Sequence, residues 1–485
     1  MKMPTSAPEA AGRLWLSGLL GLTLLVYANG LSGPLQFDDQ ALETDWAARD
    51  WAAWWTSLGR RIRPLLKASY ILSRSLGEAL GSIPLGHHLF GLGIHLLAVA
   101  LAYRVAKDLN GSIFKGGASA AGPTAAAACA AVLALHPLGT EAVTYISGRS
   151  VALATLFALT ATALHIKGAR TAAAGTRALW SAAAAGCCLA AALTREALIV
   201  VPAVLTLWEW SRADAPLTPF SVARLLTALR RTLGYWAVAA AAALWLLTHD
   251  RYADLADVSL VIVQGRSAEP TLLAALEYFA TRLFLLAPLT IDPDLAPWNL
   301  GWPRRLALTV ALGGTLVWAW RVRRERPHWL FGLAWILIFL FPVYLVPLRH
   351  DPVSERHFYP ALFGVGFIAA CEGARSAARG ATTRRLVVGC AWFLVATMLV
   401  ATVVRNADYG SEVALWKSAA IASPGKPRVF NNLGVAHMKE RRFDLAISCF
   451  ERALVLDPGH RSAQENLDRA RLKHATGNPE AEPEI

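Results

Sequence analysis

Charge is scarce in this chain. Asp, Glu, Lys and Arg make up 17% of its 485 residues and apolar residues 55%, whereas soluble domains carry roughly 25% charged residues. That balance excludes an ordinary soluble domain and predicts a polytopic membrane protein. Acids are scarcer than bases, 34 against 47, for a net charge of +13. The clusters Arg224/Arg230/Arg231, Arg321/Arg323/Arg324/Arg326 and Arg384/Arg385 stand between apolar segments, so cytoplasmic anchoring accounts for the excess. No soluble basic domain is present to hold nucleic acid. Cysteine is rare as well: Cys129, Cys187, Cys188, Cys371 and Cys390 lie in apolar runs, Cys449 lies beyond them, and no CxxC occurs. This excludes a disulfide framework and a thiolate metal site. Walker, HExxH and GxSxG motifs are missing, and Gly91/Gly93 and Gly364/Gly366 sit inside apolar helices rather than after strands. Without a Rossmann-like domain for a soluble nucleotide sugar, any transferase chemistry here requires a lipid-borne donor.

The long apolar segments predict an all-α fold with about eleven spans, at 14–31, 86–103, 124–136, 150–166, 177–193, 197–211, 232–248, 305–321, 329–347, 358–375 and 386–404. With the N-terminus inside, the Arg/Lys-rich loops fall in the cytoplasm. The stretch 272–289 breaks that pattern if counted as a crossing, and reads as a re-entrant or interfacial helix. Val26-Tyr27-Ala28 also reads as a signal-peptidase site; whether or not it is cleaved, Asp38 lies outside the cytoplasm. The domain reading is a membrane domain over 1–404, a repeat domain over 405–476 and a disordered tail over 477–485. The expected location is a bacterial inner membrane, with the repeats extracytoplasmic.

Every loop of unusual polarity faces the outer side in this topology. Asp38-Asp39 comes after the first span, where two carboxylates require water or a hydrated cavity, because an Asp at a helix centre costs roughly 2.5–3.5 kcal/mol. Either acid is a candidate base. Arg60, Arg61, Arg63 and Lys67 come after a Trp-rich stretch, Trp46 to Trp55, that reads as an interfacial helix. Guanidinium groups at that level suit a phosphate. His136 to Ser150 joins two spans and crowds His136, Glu141 and Arg149 into one loop, with a Glu141–Arg149 pair as the bracing alternative. Arg195-Glu196 reads as a local charge pair. Arg356 is a second phosphate candidate, with Glu355 as its partner or as a further carboxylate. His87, His88 and His95 present no metal face and read as packing residues.

Residues 427–460 match the 34-residue tetratricopeptide pattern: Phe430, Leu433-Gly434, His437, Ala446, Phe450, Ala453, Pro458. One period earlier Trp416, Ala419 and Pro424 align with Phe450, Ala453 and Pro458, and 461–473 reads as a closing amphipathic helix.

Phe37-Asp38-Asp39, Arg63-Pro64-Leu65, the 136–149 loop and Glu355-Arg356-His357-Phe358-Tyr359-Pro360 together resemble the transmembrane and tetratricopeptide-repeat containing O-mannosyltransferases. His357 stands where that pattern usually has Tyr, and the repeats are fewer. The resemblance implies a GT-C glycosyltransferase fold, a polyprenyl-phosphate-linked sugar donor and inverting transfer to a hydroxyl, commonly of a protein Ser or Thr. Asp38 or Asp39 would be the base; Arg63, Arg149 and Arg356 would neutralise the leaving lipid phosphate. His136, Glu141, Glu355 and Arg195 complete the expected substrate-binding set. No cofactor is expected and no obligatory metal. The expected partners are the lipid-linked sugar, a protein or glycan acceptor, the bilayer and a protein bound through the repeats. A polysaccharide ligase or polymerase using polyprenyl carriers, and a non-enzymatic repeat scaffold, are the alternatives.

Overall fold

The computed structural model describes residues 7–58, 63–114, 122–213, 218–248, 271–286, 288–294, 301–345 and 353–478. Arg60 and Arg61 lie outside the described residues, as do residues 479–485 of the expected tail. Among the described residues every regular element is helical.

Leaving aside pieces of one or two turns, the helices in chain order are α1 (Ala7–Tyr27), α2 (Pro64–Ala79), α3 (Ile83–Ile113), α4 (Pro123–Leu135), α5 (Arg149–Ala169), α6 (Ala174–Thr194), α7 (Val201–Ser211), α8 (Val222–Leu247) and α9 (Thr271–Leu285). They continue with α10 (Trp302–Arg321), α11 (Pro327–Leu345), α12 (Tyr359–Ala377), α13 (Ala381–Asp408), α14 (Glu412–Ala422), α15 (Pro427–Lys439), α16 (Phe443–Leu456) and α17 (Arg461–Thr476). Many begin on proline, as Pro64, Pro84, Pro123, Pro202, Pro303, Pro360 and Pro427 show. Proline suits the first turn because its missing N–H is not needed there. Ser82 reinforces the start of α3 by accepting the N–H of Leu85.

Each of the eleven apolar segments lies largely on helix, but the count of eleven crossings is not confirmed. Among the described residues six helices are long and apolar enough to cross a membrane, or seven if α4 and the turn after it, bent by 56°, form one broken span. Charge and length explain the difference: Arg224, Arg230 and Arg231 ride in the first turns of α8, and α7 has 11 residues. At 15 residues α9 is also short of a crossing, which takes about 20 residues.

At the centre of the bundle α4 packs between α3 and α12, and α5 between α3 and α6. Alanine dominates α4, which is why its neighbours approach closely. The α11–α12 crossing is close as well: a Cβ on Gly364 would meet the Gly332 carbonyl oxygen at 2.7 Å. The rings of Trp335 and Phe363 then pack with centroids 4.5 Å apart. Outward-facing Trp46, Trp51 and Trp55 are exposed, as expected of a belt at an interface.

The repeats form a second core. Phe450 is fully buried and leaves no space for a side chain at Gly434, as the tetratricopeptide pattern requires. Helix α17 closes the array with Leu467 and Ala470 against Ala446 and Phe450.

Candidate functional site

The two acids after α1 have opposite environments. Gln36 to Gln40 forms one 3-10 turn, so consecutive side chains diverge. Asp38 is exposed and Asp39 is 2% exposed. The Asp39 carboxylate accepts the Ser147 N–H at 2.7 Å and the Ser147 hydroxyl at 2.5 Å, and its other oxygen accepts the Gln36 N–H. Burial pushes the Asp39 carboxyl up to about 7, against the lowering effect of those hydrogen bonds. Asp39 thus straps its own turn to the 136–149 loop. Asp38 is presented from that strap: its N–H donates to the Tyr145 hydroxyl at 3.1 Å.

The loop itself is a compact fold. His136 ends α4, accepts the Leu138 N–H on Nδ1 and reaches the Leu283 carbonyl with Nε2 at 3.3 Å. Gly148 is obligatory, because a Cβ there would lie 1.8 Å from the Glu141 carbonyl oxygen. Glu141 is fully buried and pairs with Arg356, correcting the expected Glu141–Arg149 brace: its carboxylate accepts the Arg356 side chain and N–H, each at 2.9 Å, and the Ser354 hydroxyl at 2.7 Å. The Arg356 guanidinium then lies over the Tyr145 ring, 6.0 Å from its centroid. One tyrosine therefore touches the backbone of Asp38 with its hydroxyl and the Arg356 cation with its face.

Two other predicted pairings change in the same way. Glu196 feels the charge of Arg195, as expected, but takes its side-chain hydrogen bonds from Arg63. Arg63 forks onto Glu196, with Nε at 2.8 Å from Oε2, while Arg195, 2% exposed, donates to Ser150 at 2.9 Å and meets His357 Nε2 at 2.7 Å. Burial acts to raise the Glu196 carboxyl, but the Arg63 charge and fork overcome it and hold the group well below the ordinary carboxylate range. Glu355 does not partner Arg356 either. It is fully buried, accepts the Tyr278 hydroxyl at 2.7 Å and the Thr290 N–H at 2.8 Å, and faces Arg405 at 3.5 Å. Burial lifts the Glu355 carboxyl to about 7; the Arg405 charge works against that rise and the Glu141 charge adds to it.

Arg149 is placed apart. It is 1% exposed and points inward, donating to the Ser69 carbonyl, the Ser73 hydroxyl and the His87 carbonyl, with Tyr70 and Phe90 against its guanidinium. It fastens the start of α5 to α2 and α3. His87, His88 and His95 meet Ser73, the Gly33 carbonyl and Tyr359 respectively. Among the described residues no three His, Cys, Asp or Glu side chains form a metal-holding group.

Two contributors escaped sequence reasoning. The first is the pair Tyr145 and Arg405, which sit in or beside apolar runs, where their residue types predict interface or anchoring. The second is the repeat domain's seat. Phe37 stacks edge-on against Trp416 with centroids 5.1 Å apart, and Tyr145, Tyr409 and Leu415 pack with Phe37 and Ile291. Asp292 takes a bidentate fork from Arg428, at 2.7 and 2.6 Å, and an ion pair from Lys426. The acidic turn is thus wedged between the membrane bundle and the first repeat. The only advance signal was the apolar Phe37 beside two acids.

Comparison with known proteins adds two kinds of similarity. Residues 427–460 match the tetratricopeptide repeat family. A 166-residue stretch is 27% identical to the protein O-mannosyl-transferase F38B6.6 of Caenorhabditis elegans, covering 31% of this chain and 22% of that protein. A 130-residue stretch is 28% identical to the protein O-mannosyl-transferase TMTC3 of Mus musculus, covering 27% of this chain and 14% of that one. The matches therefore span under a quarter of either relative's length.

Proposed function

We propose that this chain is a membrane glycosyltransferase that moves a sugar from a polyprenyl-phosphate carrier to a hydroxyl, a protein Ser or Thr in the first instance, with inversion at the anomeric carbon. The observation that carries the reading is the Tyr145 bridge, whose hydroxyl accepts the backbone N–H of the exposed Asp38 and whose ring lies under the Arg356 guanidinium. Similarity to proteins named as O-mannosyl-transferases supports it.

In this reading Asp38 is the base, because it is exposed to an incoming hydroxyl while both oxygens of Asp39 are engaged. The hydroxyl loses its proton to Asp38 as its oxygen bonds to the anomeric carbon. The sugar–phosphate bond breaks, and the lipid phosphate leaves with the electron pair. Arg356 and Arg63 stand at the rim to offset that developing charge; their carboxylate partners, Glu141 and Glu196, hold them in position. Arg149, Arg195, His136 and Glu355 act one layer below, keeping the loops that carry the rim in register. The setting we propose is the outer face of a bacterial inner membrane.

The test is transfer by the purified, reconstituted chain. Polyprenyl-phosphate mannose and a Ser/Thr-rich peptide are supplied and the peptide's mass is read. A hexose increment that disappears with Asp38→Asn is expected. Release of neither sugar nor lipid phosphate from any polyprenyl-linked donor would sink the proposal.

A further inference from the structure

The helices that begin at the acidic site end at a second polar feature. Helix α3 starts beside His87 and His88 and runs 31 residues, about 46 Å at 1.5 Å per residue, to Ile113. Helix α12 starts at Tyr359, next to Glu355 and Arg356, and carries Arg375 in its last turn. Between these far ends lies a cavity of about 460 Å³, walled by Phe114, Pro219 and Pro327 and lined by Arg323, Arg324 and Arg375.

Two acids at this end are taken by other cations. Glu209 pairs with Arg212 and Arg231, and Glu372 takes Arg326 together with His328. Among the described residues no carboxylate lies within 4.0 Å of Arg323, Arg324 or Arg375, though an acid, Glu325, stands exposed at the rim. Arg323 is held in place by stacking 4.0 Å over the Trp320 ring and donating to the Trp320 carbonyl, while its Nε is buried with no acceptor. The N-terminus of the 19-residue α11, at Pro327, also opens on this cavity and adds its positive dipole end. Three guanidiniums and a helix start line this cavity against one acid, Glu325, among the described residues.

We infer that this cavity binds the phosphate headgroup of an anionic phospholipid, at the end of the bundle remote from Asp38. Inorganic phosphate shares the recognition chemistry, but the setting favours lipid. Trp318 and Trp320 are exposed, at 39% and 40%, on the last turns of α10 beside the cavity, as residues of a headgroup belt are. Basic pockets between membrane helices bind anionic headgroups in this manner.

The experiment uses the full chain in vesicles or nanodiscs of phosphatidylcholine, with and without phosphatidylglycerol, monitored by thermal unfolding and tryptophan emission. Phosphatidylglycerol should raise the unfolding midpoint and shift an emission signal that Trp320→Phe removes. The R323Q/R324Q/R375Q variant should bind phosphatidylglycerol at least about tenfold more weakly, with its midpoint in phosphatidylcholine unchanged. The single variant R324Q, at an exposed position with no ion pair among the described residues, serves if the triple variant fails to fold and should show a smaller loss of the same sign. An unaltered phosphatidylglycerol response in these variants overturns the site. Equal loss with Arg384→Gln/Arg385→Gln, outside the cavity, would make the effect general surface charge and overturn it too. Full protection by inorganic phosphate in phosphatidylcholine, with no further gain from phosphatidylglycerol, overturns the lipid assignment.

Discussion

The Asp38 N–H donates to the hydroxyl of Tyr145, 107 residues away, at 3.1 Å. That bond, with the Asp39–Ser147 bonds beside it, fixes where the exposed acid stands relative to Arg356. Tyr145→Phe removes the hydroxyl and keeps the ring beneath Arg356. One hydrogen bond contributes about 1 kcal/mol net, so transfer should fall roughly fivefold. Tyr145→Leu, which also removes the cation's ring, should fall further. Initial rates of both variants against a lipid-linked donor check the order; equal rates for wild type and Tyr145→Leu would remove Tyr145 from the site.

The two acids should separate by readout. Asp38→Asn is expected to lose about 10²-fold or more in turnover, the range of general-base contributions, with an unchanged thermal midpoint. Asp39→Asn replaces the acceptor of three hydrogen bonds and should lower the midpoint by several degrees. Turnover and differential scanning fluorimetry on the same preparations decide it; a stability loss confined to Asp38→Asn would reverse the roles.

Asp39 and Glu355 should each contribute a stability that falls as pH rises from about 4 to 7. They hold their protons in the folded chain up to about 7, whereas the unfolded groups lose theirs near 3.8 and 4.5. Across that window these two groups bind more protons folded than unfolded, so their share of the unfolding free energy decreases with pH and flattens above it. Buried His136, pushed down to about 4, acts in the opposite sense, so the readout is the difference between wild type and variant. The midpoint deficit of Asp39→Asn should be larger at pH 5 than at pH 8; a deficit that is constant or grows with pH contradicts the assignment.

Arg63 and Glu196 are both partly accessible, at 23% and 26% of their side chains, so their pair contributes modestly to stability and chiefly to position. Arg63→Glu should impair folding yield and transfer together. The exchange Arg63→Glu/Glu196→Arg should restore the midpoint to within a few degrees but leave transfer low, because the rim then lacks its guanidinium at 63. Full recovery of transfer would mean that Arg63 acts only by pairing.

Asp292 ties the repeats down through Arg428 and Lys426. Asp292→Ala should loosen residues 427–456 and, through Trp416 and Phe37, the acidic turn. Amide exchange in 36–40 and 427–456 should accelerate together, since both segments share that seat. Faster exchange in the repeats alone would show the turn to be held by the membrane bundle without them.

Composition and periodicity carried the architecture: all-helical, with apolar segments where helices form, and a repeat over 427–460. These are local properties, since twenty apolar residues need internal backbone bonding in lipid wherever they stand. The acidic turn was legible for the same reason, as adjacent carboxylates beside a span are costly without water. Partners were not. Sequence adjacency suggested Arg195 with Glu196 and Glu355 with Arg356, yet each acid turns to a cation or donor from a distant element, because consecutive residues of a 3-10 turn point in different directions.

What the sequence alone determined is therefore the presence of helices, the repeat and a charged rim, all of which derive from the cost of exposing or burying a residue type. Only the tertiary structure decided which acid is exposed, which arginine is buried and where the repeats sit. Asp38 and Asp39 are one residue type with one local sequence; they differ because Ser147 and Gln36 close over one of them and not the other. Burial is a property of the packed neighbours, and the decisive one, Ser147, arrives from 108 residues along the chain.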